Sequence, residues 1–269
     1  MSLGTALLLN YFPYLLLLIL CSWLPASHAL PQVPQTNKVV LRLGMYHSPP
    51  YYYTEGVAEP HGLSLDLLKP AARQLGYEIQ VVTCPFPRCL KMAEQGEIDI
   101  VAGLIKSPAR EQFLHFMQPA MMRFRSSFVF YAHKDNQVRI HRLSELRNHS
   151  VAVMREAVYY PEFDGAGFIH KVEMPSEAVS LDMVHKRRVD FAITVERTAG
   201  GSFREAGLLA DDFVKQPYHV QQVILGYLAF SRASPNFQYA GPLESMLEKQ
   251  YQTGLFHLLW QKYQLPTSS

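Results

Sequence analysis

Cysteine is scarce in this chain, and neither sign of charge is in clear excess. The 269 residues include three cysteines, and 25 lysines and arginines nearly balance 23 aspartates and glutamates, for a net charge of +2. A nucleic-acid-binding surface needs clustered basic residues, so this balance argues against that class of protein. After residue 30, no run is both long and apolar enough to cross a bilayer.

The sequence also lacks the common catalytic and metal-binding motifs. It contains no G-x-S-x-G elbow and no phosphate-binding glycine loop. Its histidines beyond the N-terminal segment form neither an i, i+4 pair nor an H-x-H pattern, so we expect no metal. We expect no cofactor and no catalytic residue.

The N-terminal segment is typical of an export signal. Residues 3–24 are almost wholly apolar, and small residues that suit cleavage after Ala29 follow them. We therefore predict a signal peptide at residues 1–29. Because the segment begins without lysine or arginine and is nearly long enough to span a membrane, a retained anchor is the alternative.

Two cysteines, Cys84 and Cys89, lie beyond the signal segment. In an exported protein a disulfide is the default interpretation of such a pair. A fully extended chain would separate their Cα atoms by about 17 Å, whereas a disulfide needs roughly 6 Å. Pro85 and Pro87 favour a bent connection, so we predict a Cys84–Cys89 disulfide that shapes the loop carrying Phe86.

One sequence pattern occurs twice, about ninety residues apart. In residues 96–103 and again in residues 187–194, an aspartate comes just before or within an apolar, strand-like run. Asp99 and Asp190 are expected to be structural. Only the first copy continues to an arginine, Arg110. Two like-built α/β lobes, one of them with an arginine, suggest a cleft that closes on a small anionic group.

The order of predicted elements defines the lobes. Strand-like and helix-like segments alternate, which indicates parallel sheet within each lobe. Two long strand-like runs, residues 124–132 and 220–231, are interpreted as crossings between the lobes. The first lobe is then discontinuous, residues 38–128 plus 226–265, and the second lobe is residues 129–225.

Two helix ends are also predicted from local residues. Ser64 is a possible N-cap of a helix that Gly76 would end. A final amphipathic helix is predicted to open at residues 234–235 and to reach Tyr263.

Four segments together resemble the type II periplasmic solute-binding proteins of the polar amino-acid family, family 3. They are residues 43–51, 62–68, 96–116 and 226–263, which contain LG…PY, GLSLDLL, GEID…SPAR…F…F and GYLAF…G…KY. The resemblance implies an α/β, two-lobed periplasmic binding protein type II fold. Each lobe would be a mixed, mostly parallel sheet flanked by helices, and two hinge strands would join the lobes.

The resemblance also implies a binding role for Arg110. Ser107 and Arg110 fall on the family's Thr-x-x-Arg pattern, whose arginine takes the ligand's α-carboxylate. A guanidinium fork matches a carboxylate bidentately, and such charged bonds are about twice as strong as neutral ones. The alternative is a surface or helix-capping arginine after Ser107.

Aromatic residues are the other candidate ligand contacts. Phe86 occupies the place of the ring that stacks on the ligand in the family, and Tyr51, Tyr52 or Tyr53 could form the opposite wall. The alternative is ordinary core packing. Asp66 also matches a family position and is expected to be structural.

Three departures from the family pattern leave the ligand class open. Ile105 replaces a serine whose hydroxyl often meets the ligand, and residues 155–158 replace a turn of small residues. The aspartate that often binds the ligand's ammonium would fall near Val195. Glu196 and Glu156 are therefore the candidate amine partners, and solvated surface charge is the alternative for both.

The expected function is the capture of a small polar solute, an amino acid or related carboxylate, by cleft closure. The partner would be an ABC permease or a membrane sensor, and the protein would be a monomer in the periplasm of a Gram-negative bacterium. The alternatives are a dehydratase-like enzyme on the same fold and an orphan sensory module. For the enzyme, Glu156, Glu196 or His47 could act as acid or base.

Overall fold

The structure is a computed structural model, and we describe its residues 38–265. The predicted signal peptide, residues 1–29, lies outside the described residues. Within residues 38–265, no helix is long and apolar enough to cross a membrane.

The described chain alternates strands and helices for most of its length. The strands are β1 Val39–Met45, β2 Tyr52–Tyr53, β3 His61–Gly62, β4 Tyr77–Thr83, β5 Ile100–Leu104, β6 Leu114–Phe116, β7 Met122–His133, β8 Ser150–Met154, β9 His170–Met174, β10 Phe191–Val195 and β11 Phe213–Ser231. The helices are α1 Leu63–Gln74, α2 Phe86–Glu94, α3 Pro108–Glu111, α4 Pro161–Asp164, α5 Glu177–His185, α6 Glu196–Glu205, α7 Ala240–Gln252 and α8 Leu255–Lys262.

The main sheet of the described chain is mixed and has the order β4-β1-β5-β11-β7-β10-β8-β9, and β6 also pairs with β11. Strands β2 and β3 form a separate two-stranded sheet. We call β1, β4, β5 and β6 the first half of the sheet and β8, β9 and β10 the second half. Within the halves, β1 runs parallel to β4 and β5, and β8 runs parallel to β9 and β10. The predicted fold class is confirmed.

Strands β7 and β11 connect the two halves, and we call them the crossing strands. The first part of β11 pairs antiparallel with β7 from Phe213 to Gly226, and its end, from Tyr227, pairs with β5 and β6. Strand β7 also pairs with β10, from Phe128 to Tyr131. The exact lobe boundaries at residues 128 and 226 stay a prediction.

Apolar stripes explain why the helices cover the sheet. In α1, Leu63, Leu67, Leu68 and Ala71 recur at helical spacing and are fully buried. Strand β5 is apolar along nearly its whole length, which is typical of a parallel strand covered on both faces. Burial of these stripes packs α1 against the first half of the sheet and encloses β5 within it.

The paired aspartates hold neighbouring strands in register. The carboxylate of Asp99, just before β5, accepts a hydrogen bond from the backbone N–H of Arg42 in β1 at 2.6 Å. The carboxylate of Asp190, just before β10, accepts one from the N–H of Ser150 in β8 at 2.7 Å. The repeated pattern thus has a structural cause. Asp66 accepts from Lys262 and Tyr263, and links α1 to the C-terminal segment.

Two predicted helix ends are wrong. Gly62, not Ser64, is the N-cap of α1, since its φ of 151° suits glycine and an added Cβ would lie 2.3 Å from the carbonyl oxygen of Tyr51. Ser64 lies buried inside the first turn. The single final helix is two helices, because Gly254 adopts a left-handed φ of 86° between α7 and α8.

Candidate ligand-binding cleft

A cavity of about 470 Å³ lies among the first half, the crossing strands and the second half. The loop from β1 to β2 and the segment before α2 supply the lining from the first half. The crossing strands contribute four residues to the lining, Met122, Phe124, Ile224 and Gly226. The second half contributes residues of α5 and α6 and of the turns before them. This volume is within the range of small-molecule sites.

Aromatic rings form one wall of the cavity. The ring centroids of Tyr46 and Phe86 lie 4.9 Å apart, and those of Tyr46 and Tyr52 lie 5.6 Å apart. Tyr51 packs against Phe124, with centroids 6.5 Å apart. Burial raises the pKa of both Tyr46 and Tyr52 well above the usual range, so these hydroxyls stay neutral.

The structure brings three of the aromatic candidates to this wall. Tyr51, Tyr52 and Phe86 line the cavity, and their contact with a ligand stays a prediction. Tyr53 is outside the lining, because its side chain points to the other face of β2 and stacks on His61, 5.0 Å between ring centroids.

A disulfide shapes the segment that carries Phe86. Cys84 and Cys89 are bonded, with their Cα atoms 5.5 Å apart, and the predicted disulfide is confirmed. Phe86 is the first residue of α2, not a loop residue as the sequence suggested. Cys84 and Phe86 both line the cavity, so the bond stabilises part of its wall.

Arg110 lies beside the cavity and is 6% exposed. Ser107 is the N-cap of the short helix α3, and its Oγ accepts from the backbone N–H of Arg110 at 3.4 Å. The guanidinium donates to the carbonyl oxygen of Ile105 at 2.7 Å and to the carbonyl oxygen of Glu156. The central guanidinium carbon of Arg110, Cζ, lies 5.6 Å from the centroid of the Phe86 ring.

The guanidinium therefore connects the loop after β5 with the turn after β8. Burial lowers the pKa of Arg110, while Tyr46 and Glu156 act in the opposite direction. Neither Arg110 nor Ser107 belongs to the cavity lining. The binding roles predicted for these two residues stay predictions.

The structure does not bring the two predicted amine partners to the cavity. The side chain of Glu156 is exposed, and its backbone, at a φ of 62°, presents the carbonyl to Arg110. The carboxylate of Glu196 accepts from the Nζ of Lys215 at 2.5 Å. Neither glutamate lines the cavity.

Another carboxylate, Glu177, does line it. Ser176 is the N-cap of α5, and Glu177 follows as the first helical residue. One carboxylate oxygen of Glu177 accepts from the Oγ of Ser202 in α6 at 3.0 Å. Burial raises the pKa of Glu177 to about 7, although hydrogen bonds from Ser202 and the Val195 N–H oppose the rise.

Two further glutamates, Glu55 and Glu205, line the same cavity. Burial raises the pKa of Glu205. The charge of His47 lowers this pKa, and the charge of Glu55 raises it further. Sequence reasoning missed Glu177, because a serine followed by glutamate is an ordinary helix start that predicts an exposed acid.

Among residues 38–265, no group of three or more metal-ligating side chains is placed to hold an ion.

The fold and the cavity together define a protein that can enclose a small molecule between two α/β halves. The sequence matches the model of bacterial extracellular solute-binding proteins, family 3, over residues 41–264, and the chain belongs to that family. The resemblance seen in the sequence is confirmed. Members of this family are extracellular, which places the protein in the periplasm or outside the cell.

Solved structures share the fold at low sequence identity. The P235GK mutant of ArgBP from T. maritima aligns with a TM-score of 0.67 and 20% identity, over 83% of this chain and 94% of that chain. A histidine kinase sensor domain with similarity to periplasmic binding proteins aligns with a TM-score of 0.70 and 18% identity, over 84% and 96%.

The amino acid ABC transporter substrate-binding protein AbpA from Streptococcus pneumoniae, bound to L-arginine, aligns with a TM-score of 0.66 and 17% identity, over 84% and 94%. At these identities the alignments show the fold alone. A comparison of the sequence with curated proteins gives no match.

Proposed function

We propose that this protein captures an amino acid or a related small polar solute in the cavity and delivers it to an ABC importer. The site of action would be the periplasm of a Gram-negative bacterium. One observation supports this proposal above the others. The cavity of about 470 Å³ has an aromatic wall from the first half, and two of its lining carboxylates, Glu177 and Glu205, come from the second half.

Capture by this arrangement requires the two halves to close on the solute. In the part of the chain described, the sheet passes between the halves only through the crossing strands. Strand β11 pairs with β5 and β6 of the first half, β7 pairs with β10 of the second half, and β7 and β11 pair with each other. Residues 38–128 plus 226–265 and residues 129–225 are proposed as the lobes that move. Closure excludes water from the cavity and strengthens polar contacts inside it.

The ligand contacts proposed from the sequence remain part of this function. Tyr51, Tyr52 and Phe86 supply flat contact surface in the cavity wall. Arg110 is proposed to meet a ligand carboxylate from beside the cavity, supported by Ser107. Two of its five N–H groups already donate to protein carbonyls.

A thermal-shift panel of amino acids, small carboxylates and amines tests the proposal. At a concentration about 100 times Kd, a solute that binds the folded protein stabilises it by about 2.7 kcal/mol, which raises the melting temperature measurably. Tyr51→Leu, inside the cavity wall, should reduce the shift. Tyr53→Leu, outside the lining, serves as the matched control. If no small solute raises the melting temperature, the proposal is wrong.

An enzyme on the same fold is the second candidate, and Glu177 favours it. A carboxyl group with a pKa of about 7 in a cavity is suited to acid–base catalysis near neutral pH. A dehydratase-like activity would appear as product formation from a prephenate-like acid. That activity should disappear in Glu177→Gln, and its absence in the wild-type protein would exclude this candidate.

A further inference from the structure

The charged groups that line the cavity are of one sign. They are Glu55, Glu177 and Glu205, and His47 is the one titratable nitrogen group beside them. Within the described residues, no lysine or arginine belongs to the lining. The ring nitrogen of His47 accepts hydrogen bonds from the backbone N–H groups of Thr54 and Glu55. The cavity therefore offers a ligand negative charge and aromatic faces.

Glu177 has polar partners but no cationic one. Ser202 donates to its carboxylate. Burial is the larger cause of its raised pKa, and the charge of Glu205 is a smaller cause in the same direction. From other elements, the neutral hydroxyls of Tyr46 and Tyr159 face Glu177, and the charge of Glu177 raises the pKa of both. In residues 38–265, Glu177 takes part in no ion pair within 4.0 Å. Glu177 is half-buried. A carboxylate withdrawn from water without a cationic partner is unfavourable, and a positively charged ligand would relieve this.

Among residues 38–265, the one buried cation near the cavity is Arg110, and it does not belong to the lining. Arg110 donates to the carbonyl oxygens of Ile105 and Glu156, and these bonds hold its guanidinium beside the cavity and outside the lining. The aromatic face of a lining residue such as Tyr51 attracts cations, and less so anions, through the ring quadrupole. Both observations favour a ligand whose main charge is positive.

We propose that the cavity selects a small organic cation, with an amine or guanidinium nitrogen placed on Glu177, and that a carboxylate on the ligand is not required. This inference rests on the proposed solute capture, since it names the ligand class of the same cleft. The expected ligands are aliphatic amines and guanidines, including amino acids that carry such a group.

Isothermal titration with three matched probes tests the inference. Agmatine and arginine share the guanidinium and differ by the α-carboxylate, and glutarate carries carboxylates without a cation. We expect agmatine to bind within about tenfold of arginine or more tightly, and glutarate not to bind. If arginine binds and agmatine is more than about tenfold weaker, the inference is wrong and solute capture stands. If neither these probes nor the wider panel binds, both proposals fail.

A substitution identifies the group that holds the cation. Glu177→Gln keeps the size of the side chain and removes the charge, and we expect at least about a tenfold loss of agmatine affinity. Glu196→Gln, on the neighbouring helix α6 but outside the cavity, is the control and should bind like the wild type. Equal affinities of the two variants would overturn the assignment.

The pH dependence supplies a readout that needs no variant. Because Glu177 ionises near pH 7, its attraction for a cation increases as pH rises. Agmatine affinity of the wild-type protein should therefore rise about tenfold between pH 6 and pH 8. Glu177→Gln should lose this rise. A flat profile in the wild-type protein would contradict a role for Glu177, even if the variant fails to fold.

Discussion

Arg110 shows how one buried side chain connects distant parts of the chain. Its guanidinium joins the carbonyl oxygens of Ile105 and Glu156, and Glu156 is 46 positions further along the sequence. Glu156 itself has a φ of 62°, a conformation that non-glycine residues rarely adopt. The hydrogen bond from Arg110 compensates for part of that strain. At this scale the arginine is a structural link as well as a ligand-contact candidate.

Arg110→Met tests the link. Methionine keeps an unbranched stem and removes the donors, so two carbonyls beside the cavity lose a partner. We expect the free energy of unfolding to fall by about 2 kcal/mol, measured by urea denaturation. Arg139→Met is the matched control, because Arg139 also donates to two carbonyls but is exposed. Its effect should stay within about 0.5 kcal/mol, and an equal loss in both variants would contradict the structural role.

At the scale of elements, the start of α2 combines a covalent bond with the cavity wall. The disulfide closes a loop whose ends are five positions apart, from Cys84 to Cys89. Pro85 is the N-cap of α2 and Phe86 its first residue. A short bridge of this kind restricts the unfolded chain only modestly, and its larger effect is to keep Phe86 placed against Tyr46.

Replacing the bridge with the Cys84→Ala, Cys89→Ala double variant should lower the free energy of unfolding by about 2 kcal/mol. Solute affinity should fall as well, since Phe86 would lose its fixed position. Urea denaturation with and without a reducing agent provides the control. The wild-type protein should respond to the reductant and the variant should not, and a wild-type protein that shows no response would contradict the prediction.

At the scale of the whole molecule, the two halves meet at α6 and the loop between β1 and β2. A Cβ added to Gly201 would lie 2.7 Å from the carbonyl oxygen of Pro49, closer than side chains normally allow. A Cβ on Gly200 would find its nearest atom at 3.7 Å, an ordinary contact. The close approach of the halves therefore depends on one glycine and not on its neighbour.

Gly201→Ala should weaken closure and lower affinity for the best-bound solute of the panel by about tenfold, since overpacking costs about 1–3 kcal/mol. Gly200→Ala makes the same change one position earlier in α6. It should keep wild-type affinity and melt at the same or a slightly higher temperature, because alanine favours a helix over glycine. Equal affinities of the two variants would show that closure does not use this contact.

The sequence by itself determined the elements whose causes are local. The alternation of strand-like and helix-like segments indicated parallel sheet, and two prolines between two cysteines indicated the disulfide. Family-specific motifs spread along the chain indicated the fold, because their order follows the order of its elements. The helix ends at Gly62 and Gly254 were missed, since close backbone approach and a left-handed turn outweighed the local capping pattern.

Only the tertiary structure decided which charges meet in the cavity. Glu177 is hidden in the sequence as the first residue of an ordinary helix, and its raised pKa comes from the packing of α5 against α6. Glu196, one of two candidate amine partners in the sequence, is turned toward Lys215. Periodicity and spacing describe neighbours along the chain, whereas burial and charge depend on segments that are distant in sequence and close in space.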